Sequence, residues 1–491
     1  VEEKQKRRII IMTETTTRVR FAPSPTGFLH VGGLRTALYN FLYARQNNGV
    51  FVLRIEDTDR NRFVPGAAEK LAQTLSICGI KADEGPALKG DKGPYVQSLR
   101  LPLYRRHAQQ LIESGHAYHC FCTPERLAQM RDTQAANNEP LRYDGHCRHL
   151  TEAEREAKRV AQSSSTIRLR VPAGERIRIA DEIRGTVVFE SDEIDDQVLL
   201  KSDGYPTYHL ANVVDDYHMG ITHVIRGEEW LPSTPKHVLL YRAFNWELPV
   251  FAHLPLLLNP DRSKLSKRQG DVAVEDFLEV GFVPPAIVNF VALLGWNPGD
   301  DREFFTLAEL EREFSLQRIN KSGAVFDRDK FKWMNGQYLR QMADEDYIAE
   351  VLPFMDDVLP PIYSSAQLGK IAMALRNQID VAEEISTKLG VFKGGSLRIA
   401  DTTEQEMCNS ADSRKVFALL RDKVLAEKNL TAATFKQMMK EVQKESGIKG
   451  KNLFMPVRLA ITGQQHGPDL GLTVEIFGAE EVAKRLGQVL A

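Results

Sequence analysis

Two short stretches carry the residues best suited to phosphate chemistry. His30-Val31-Gly32-Gly33 follows a short apolar strand pattern, Val19 to Ala22, and a proline-stiffened turn, Pro23-Ser24-Pro25-Thr26-Gly27. It opens an amphipathic segment with apolar residues at Leu34, Leu38, Phe41 and Leu42. Glycines at a helix start let backbone N–H groups approach a phosphate, and the helix dipole favours the anion. Far downstream, Lys264-Leu265-Ser266-Lys267-Arg268 puts ammonium groups on a short loop, where they suit neutralising charge on a transferring phosphoryl group. A lone histidine is more often a satisfied core residue, and a charge run is more often a solvated face. Both elements in one chain, in this order, favour the functional reading.

Two further clusters stand out. Val50 to Ile55 has a strand pattern that ends in Glu56-Asp57-Thr58-Asp59. In an open α/β sheet, ligands bind at the carboxyl ends of strands, so this acidic cluster is well placed for function. Cys120-x-Cys122-x24-Cys147-x-His149 offers three soft thiolates and an imidazole, a set suited to tetrahedral structural zinc. The alternative is three buried free cysteines and a surface histidine.

The elements that must position these groups follow from length and patterning. The 491 residues suffice for several domains, and a formal net charge of −2 leaves any nucleic-acid surface to local basic patches. No apolar run approaches the roughly 20 residues of a membrane span. Five cysteines, an odd and low count for this length, suit a reducing compartment. The charged Val1 to Arg8 and the short Ile9 to Ile11 do not make a signal-peptide core, and Met12 is the expected natural start.

From Arg18 to about Val96, strand-like and helix-like segments alternate. From about Ser98 to Tyr208, polar helical segments (Glu125 to Gln134, Thr151 to Gln162) mix with β-rich pieces (Thr166 to Val171, Gly185 to Glu190), the mark of an insertion. Strand patterning resumes at Thr222 to Arg226 and His253 to Leu258. After about Asp271 the chain becomes mainly helical, with apolar stripes at Val416, Leu419, Leu420 and Val424, and at Phe435, Met438, Met439 and Val442. The expected class is α/β, with a split nucleotide-binding fold and an appended helical bundle.

In this order the two phosphate-binding stretches resemble the ATP signatures of class I aminoacyl-tRNA synthetases. Arg20-Phe21-Ala22-Pro23-Ser24-Pro25-Thr26-Gly27, Arg54-Ile55-Glu56-Asp57-Thr58-Asp59, the run Lys201 to Asp216, Val224-Ile225-Arg226-Gly227-Glu228-Glu229-Trp230 and Trp333-Met334-Asn335-Gly336 narrow the resemblance to glutamyl-tRNA synthetases. Gly450 to Arg458 and the helical tail resemble the bacterial or organellar type, since other members of the wider group carry β-barrel tails. The resemblance implies a Rossmann-type catalytic domain (18–97 and 209–262) after a tail (1–17). An acceptor-stem domain is inserted at 98–208, a stem-contact domain covers 263–342, and an α-helical anticodon-binding domain covers 343–491.

It also implies ATP-dependent activation of L-glutamate to glutamyl-adenylate and transfer to the terminal ribose of tRNA(Glu). Transfer to tRNA(Gln) stays open. His30, Lys264 and Lys267 are the expected catalytic groups. Thr26, Gly32, Gly33, Glu229, Leu265, Ser266 and Arg268 join them around ATP and its Mg2+. Arg20, Ala22, Ser24, Glu56, Tyr208, Asn212 and Arg226 are expected around glutamate. Arginine forks suit its two carboxylates and Glu56 its ammonium. Gly33 stands where class I signatures often carry a second histidine, so a second imidazole is not expected to assist. Zinc on Cys120, Cys122, Cys147 and His149 occurs in some members of the family. A monomer in the bacterial cytosol is expected, with an organellar matrix as the alternative. A nucleotidyltransferase shares His-x-Gly-x but does not need the helical tail, and a non-catalytic tRNA-binding relative often loses one signature.

Overall fold

The computed structural model describes residues 16–88, 90–161, 164–265, 272–355, 358–394 and 397–491. The chain forms two compact units. One holds residues up to Glu275 with Val288–Asp327, and the other holds Asp276–Ile287 with Arg328–Ala491.

In the first unit, β1 (Arg18–Phe21) and β2 (Val50–Leu53) pair in parallel, from Arg18 opposite Val50 to Phe21 opposite Leu53. β3 (Ala117–Cys120) and β4 (Thr166–Leu169) are antiparallel. β5 (Arg176–Asp181) and β6 (Gly185–Glu190) form a hairpin, and β7 (Val198–Leu200) joins the far edge of β4. β8 (His223–Gly227) and β9 (Val250–Leu254) run parallel, and Asp181 at the end of β5 pairs with Phe251. The resulting sheet has the order β6–β5–β9–β8. The Thr222 N–H donates to the Arg18 carbonyl at 2.9 Å, which brings β1 beside β8. Three consecutive buried residues in β1 and β2 fit parallel strands covered on both faces.

The helix Val31–Gln46 crosses behind β1, β2 and β8. Its pattern predicts one apolar face, yet Arg35, Tyr39 and Asn40 are buried as well. Most of their polar atoms are met by main-chain carbonyls, while Arg35 Nε and Asn40 Oδ1 have no hydrogen-bond partner among the described residues. The Tyr39 hydroxyl donates to Ala292 O at 3.0 Å, Asn40 Nδ2 to Ile225 O at 3.0 Å, and Arg35 Nη1 to Leu294 O at 3.0 Å. Buried polar groups are tolerated when so paired. The expected strand from His253 to Leu258 is split into β9 and β10 (Leu257–Leu258), because Pro255 lies between them and has no N–H for a ladder. β10 pairs in parallel with β11 (Ala324–Val325).

The second unit is mainly helical, as the stripes predict. Helix Ala432–Ser446 buries Phe435, Met438, Met439 and Val442. Helix Ala411–Ala426 buries Val416, Phe417, Leu420 and Val424 and leaves Leu419 half-buried. Among its described residues two cores stand out. One gathers Val283, Leu339, Tyr347, Ile371 and Phe392, and the other gathers Val416, Phe435, Leu453, Val474 and Leu486. The last helix, Leu470–Leu490, bends at Gly478 (φ 74°, ψ 171°) and supplies Ile476 to the first core and Val482 and Leu486 to the second.

Gly281 has φ +89°, and a Cβ there would overlap Ala382. Both left-handed strain and overpacking oppose a side chain at this position. Gly281→Ala is expected to lower the unfolding free energy of this unit by about 2 kcal/mol or more, measured by urea titration of the helical circular dichroism signal.

Candidate functional site

A cavity of about 870 Å³ opens at the carboxyl ends of β1, β2 and β8, in the first unit. Its wall contains Arg20, Ala22, Ser24, Glu56, Tyr208, Asn212 and Arg226, together with Thr26, His30, Gly32, Gly33, Glu229, Lys264 and Leu265. The two groups of residues inferred from the sequence therefore share one space. Ser266, Lys267 and Arg268 lie outside the described residues.

At one side of the cavity, His30 caps the helix Val31–Gln46, with extended backbone at φ −69°, ψ 144°. Its Nδ1 accepts the Gly32 N–H at 2.9 Å. In the neutral ring this leaves the proton on Nε2, a hydrogen-bond donor beside the positive end of the helix dipole. A Cβ on Gly32 would stand 3.2 Å from that Nδ1, and one on Gly33 would stand 3.0 Å from a Leu29 methyl. Lys264 and Leu265 approach along β10, where the Leu265 N–H donates to Leu257 O at 2.9 Å.

At the other side stand two nearly buried arginines. Arg20 is held by Asp216, with Nε 3.1 Å from Oδ1 and Nη2 3.2 Å from Oδ2. Arg226 donates from Nη1 to the Tyr208 hydroxyl at 2.9 Å. Glu56 sits between a cation and the cavity, and its Oε1 accepts from Arg54 Nη2 at 3.1 Å. Burial raises the Glu56 pKa, a rise that Arg54 and Arg20 only partly offset. Asp216 goes the other way, because Arg20 and Arg54 together outweigh its desolvation.

Below the cavity floor lies a charge network that sequence reasoning did not assemble. Arg54, with a fully buried side chain, donates to Asp216 Oδ1 at 2.7 Å as well as to Glu56. Asp215, also fully buried, accepts from Arg100 Nε at 2.7 Å, Gln97 Nε2 at 2.9 Å and the Tyr104 hydroxyl at 2.9 Å. Arg54 Nε reaches Asp215 at 3.8 Å, a charge contact rather than a hydrogen bond. The available signal was the presence of Arg54, Asp215 and Asp216 inside otherwise apolar segments. Trp230 was likewise passed over. Its ring lies 4.3 Å from that of Tyr208, and it lines the cavity.

The cysteine cluster is separate. Sγ atoms of Cys120, Cys122 and Cys147 all lie within 4.8 Å of one another. His149 is exposed and stands outside that group. The Tyr143 hydroxyl takes the adjacent place, 3.4 Å from Cys120 Sγ and 3.5 Å from Cys122 Sγ, and accepts the Cys147 N–H at 2.8 Å. Hydrogen bonds from Cys122 and Cys147 hold the Cys120 thiol well below its ordinary pKa. Three converging sulfurs and one oxygen are a donor set that fits tetrahedral zinc.

Residues 16–333 match the family model for the catalytic domain of class I tRNA synthetases (E and Q), and residues 346–490 match an anticodon binding domain. The glutamate–tRNA ligase of Clostridioides difficile (strain 630) is 46% identical over 486 residues, covering 96% of this chain and 98% of that protein. That of Alkaliphilus metalliredigens (strain QYMF) is 44% identical, covering 96% and 99%. The crystal structure of a glutamate–tRNA ligase from Elizabethkingia meningosepticum CCUG26117 in complex with its amino acid superposes with a TM-score of 0.88. It is 35% identical and covers 97% of this chain and 99% of that one.

Arg54→Met would leave Asp216 and Glu56 without their shared cation. Removing one member of a buried ion network destabilises by about 3–5 kcal/mol. Urea unfolding of this variant should show a loss of that size.

Proposed function

The chain belongs to the glutamate–tRNA ligase family of class I aminoacyl-tRNA synthetases, and we propose that it activates L-glutamate with ATP and transfers it to the 3′-terminal ribose of tRNA(Glu). The observation that carries this reading is that the Arg20 and Arg226 guanidiniums, the buried Glu56 carboxylate and a helix start capped by His30 line one cavity. Glutamate presents two carboxylates and one ammonium, and the cavity wall offers the complement of each. Arg20 with Tyr208 takes the side-chain carboxylate, Arg226 the α-carboxylate and Glu56 the ammonium, with Ala22, Ser24 and Asn212 filling the wall between them.

ATP enters with Mg2+ on the other side, against Thr26, Gly32, Gly33, Glu229 and Leu265. An α-carboxylate oxygen attacks the α-phosphorus, the bond to pyrophosphate breaks, and glutamyl-adenylate remains. The tRNA ribose hydroxyl then attacks the activated carbonyl and AMP leaves. Neither step requires a protein nucleophile, so the protein acts by positioning and by stabilising phosphoryl oxygens. His30 Nε2–H, Lys264 and Lys267 supply that stabilisation, and Ser266 and Arg268 complete the set proposed to contact ATP. The helical tail reads the anticodon, and residues 98–208 grip the acceptor end. A monomer in the bacterial cytosol completes the reading, with an organellar matrix as the second location. Among the described residues, no helix is long and apolar enough to cross a membrane.

Glutamate-dependent ATP–pyrophosphate exchange, run with and without tRNA, tests the activation step. Charging of purified tRNA(Glu) and tRNA(Gln) tests transfer and decides whether the second tRNA is a substrate. No exchange and no charging with glutamate would refute the reading. Lys267→Ala should lose about 2.7–4 kcal/mol of transition-state stabilisation, as when one oxyanion donor is removed. Arg20→Lys should raise the glutamate KM sharply, because an ammonium cannot reproduce a bidentate fork.

Zinc, when bound to Cys120, Cys122 and Cys147 with the Tyr143 oxygen adjacent, would cross-link the segment proposed to grip the acceptor end. Metal analysis of untagged protein should give about one zinc per chain. Cys147→Ser should lose it, Tyr143→Phe should weaken its retention against a chelator, and His149→Ala should leave the zinc content unchanged.

A further inference from the structure

We infer that Asp181 and His253 are positioning residues that aim the Arg226 guanidinium at a substrate carboxylate while leaving its charge unneutralised. The inference rests on the glutamate reading above. On neighbouring parallel strands, Arg226 of β8 stands in register with His253 of β9, and Asp181 closes the adjoining strand β5 opposite Phe251. Side chains in register on parallel strands share a face. Arg226 and His253 therefore stand side by side, and Asp181, opposite Phe251, reaches His253 on the same face. Asp181 Oδ2 lies 2.6 Å from His253 Nδ1, and His253 Nε2 accepts from Arg226 Nε at 3.1 Å.

The direction of each bond is fixed by chemistry. Asp181 is a carboxylate, kept ionised because its hydrogen bonds to His253 and to the Arg184 N–H outweigh its desolvation. An acceptor on Nδ1 puts the imidazole proton there. Nε2 then presents a lone pair, which is what the Arg226 Nε–H requires. Burial and the Arg226 charge keep the ring neutral against the pull of Asp181. A protonated ring would point N–H at N–H.

The remaining described partners of Arg226 are neutral too. Nη1 donates to the Tyr208 hydroxyl at 2.9 Å and lies 3.3 Å from His237 Nδ1, and Nη2 donates to Thr234 Oγ1 at 2.9 Å. Arg20, by contrast, is gripped directly by the Asp216 carboxylate. A nearly buried guanidinium whose described hydrogen-bond partners are all neutral has no direct counter-ion, which favours an incoming anion. Interposing His253 lets Asp181 orient Arg226 without becoming its counter-ion. Since Asp181 belongs to the hairpin inside the stretch expected as an insertion, that stretch contributes to the amino-acid site.

The test is steady-state charging by the full-length protein carrying His253→Leu, His253→Gln or Asp181→Asn. Glutamate and ATP are titrated separately. His253→Leu and Asp181→Asn should raise the glutamate KM about tenfold or more, the scale of losing a group that orients a ligand-binding side chain, with the ATP KM unchanged. His253→Gln should recover most of the loss, because its Oε1 accepts from Arg226 while its Nε2 donates to Asp181. Equal loss in His253→Gln and His253→Leu, parallel rises in both KM values, or no change in the glutamate KM would overturn the inference. If His253→Leu does not fold, the Asp181→Asn and His253→Gln pair decides by the same criteria. Failure of the wild type to charge glutamate would refute the functional reading itself.

Discussion

A buried, charge-balanced network organises the candidate site. Arg20, Arg54 and Arg100 stand against Glu56, Asp215 and Asp216, nearly all out of reach of water. Such charges are tolerated in a protein interior only when geometry satisfies each of them, and here most bonds are short and directed. Arg54 is the keystone, because it touches both Glu56 and Asp216. Through it, the carboxylate proposed to receive the ammonium and the aspartate that grips Arg20 are fixed relative to each other. The network also ties β1, the end of β2 and the helix Tyr208–His218 together across almost 200 residues of chain.

Arg20 and Arg226, two of the arginines that line the cavity, solve the same problem differently. Arg20 is immobilised by a carboxylate that also screens part of its charge, whereas Arg226 is immobilised by hydroxyls and neutral rings. A pocket that must hold both ends of a dicarboxylate without collapsing on itself when empty gains from this asymmetry. Two unscreened cations would repel across the empty space, and two fully paired ones would bind the ligand weakly. The helix start at His30 adds a fixed dipole that needs no counter-charge.

Much of this was legible from residue order. The turn at Pro23 to Gly27, the His30 cap and the acidic strand end at Glu56 each carry a local signal, and the cavity brings them together with Tyr208, Asn212 and Arg226. What was not legible depends on long-range pairing. β5 alternates exposed and buried residues along Arg-Ile-Arg-Ile-Ala-Asp, yet nothing local says that Asp181 will meet His253 on another strand. The all-round burial of helix Val31–Gln46 depends on distant carbonyls, those of Ala292, Leu294, Pro255 and Ile225, that meet its polar side chains. Cysteine spacing located the thiol cluster but pointed to His149, whereas the same loop turns Tyr143 inward onto the sulfurs. A tyrosine in a polar loop gives no sequence cue of that kind.

The last helix, one continuous segment bent at Gly478, is a structural member of both cores in the helical unit, with Ile476 in one and Val474, Val482 and Leu486 in the other. Such a shared strut prevents the halves from behaving as interchangeable modules. Replacing the helices around one core would require new packing residues on Leu470–Leu490 too, which couples the two cores through a single element.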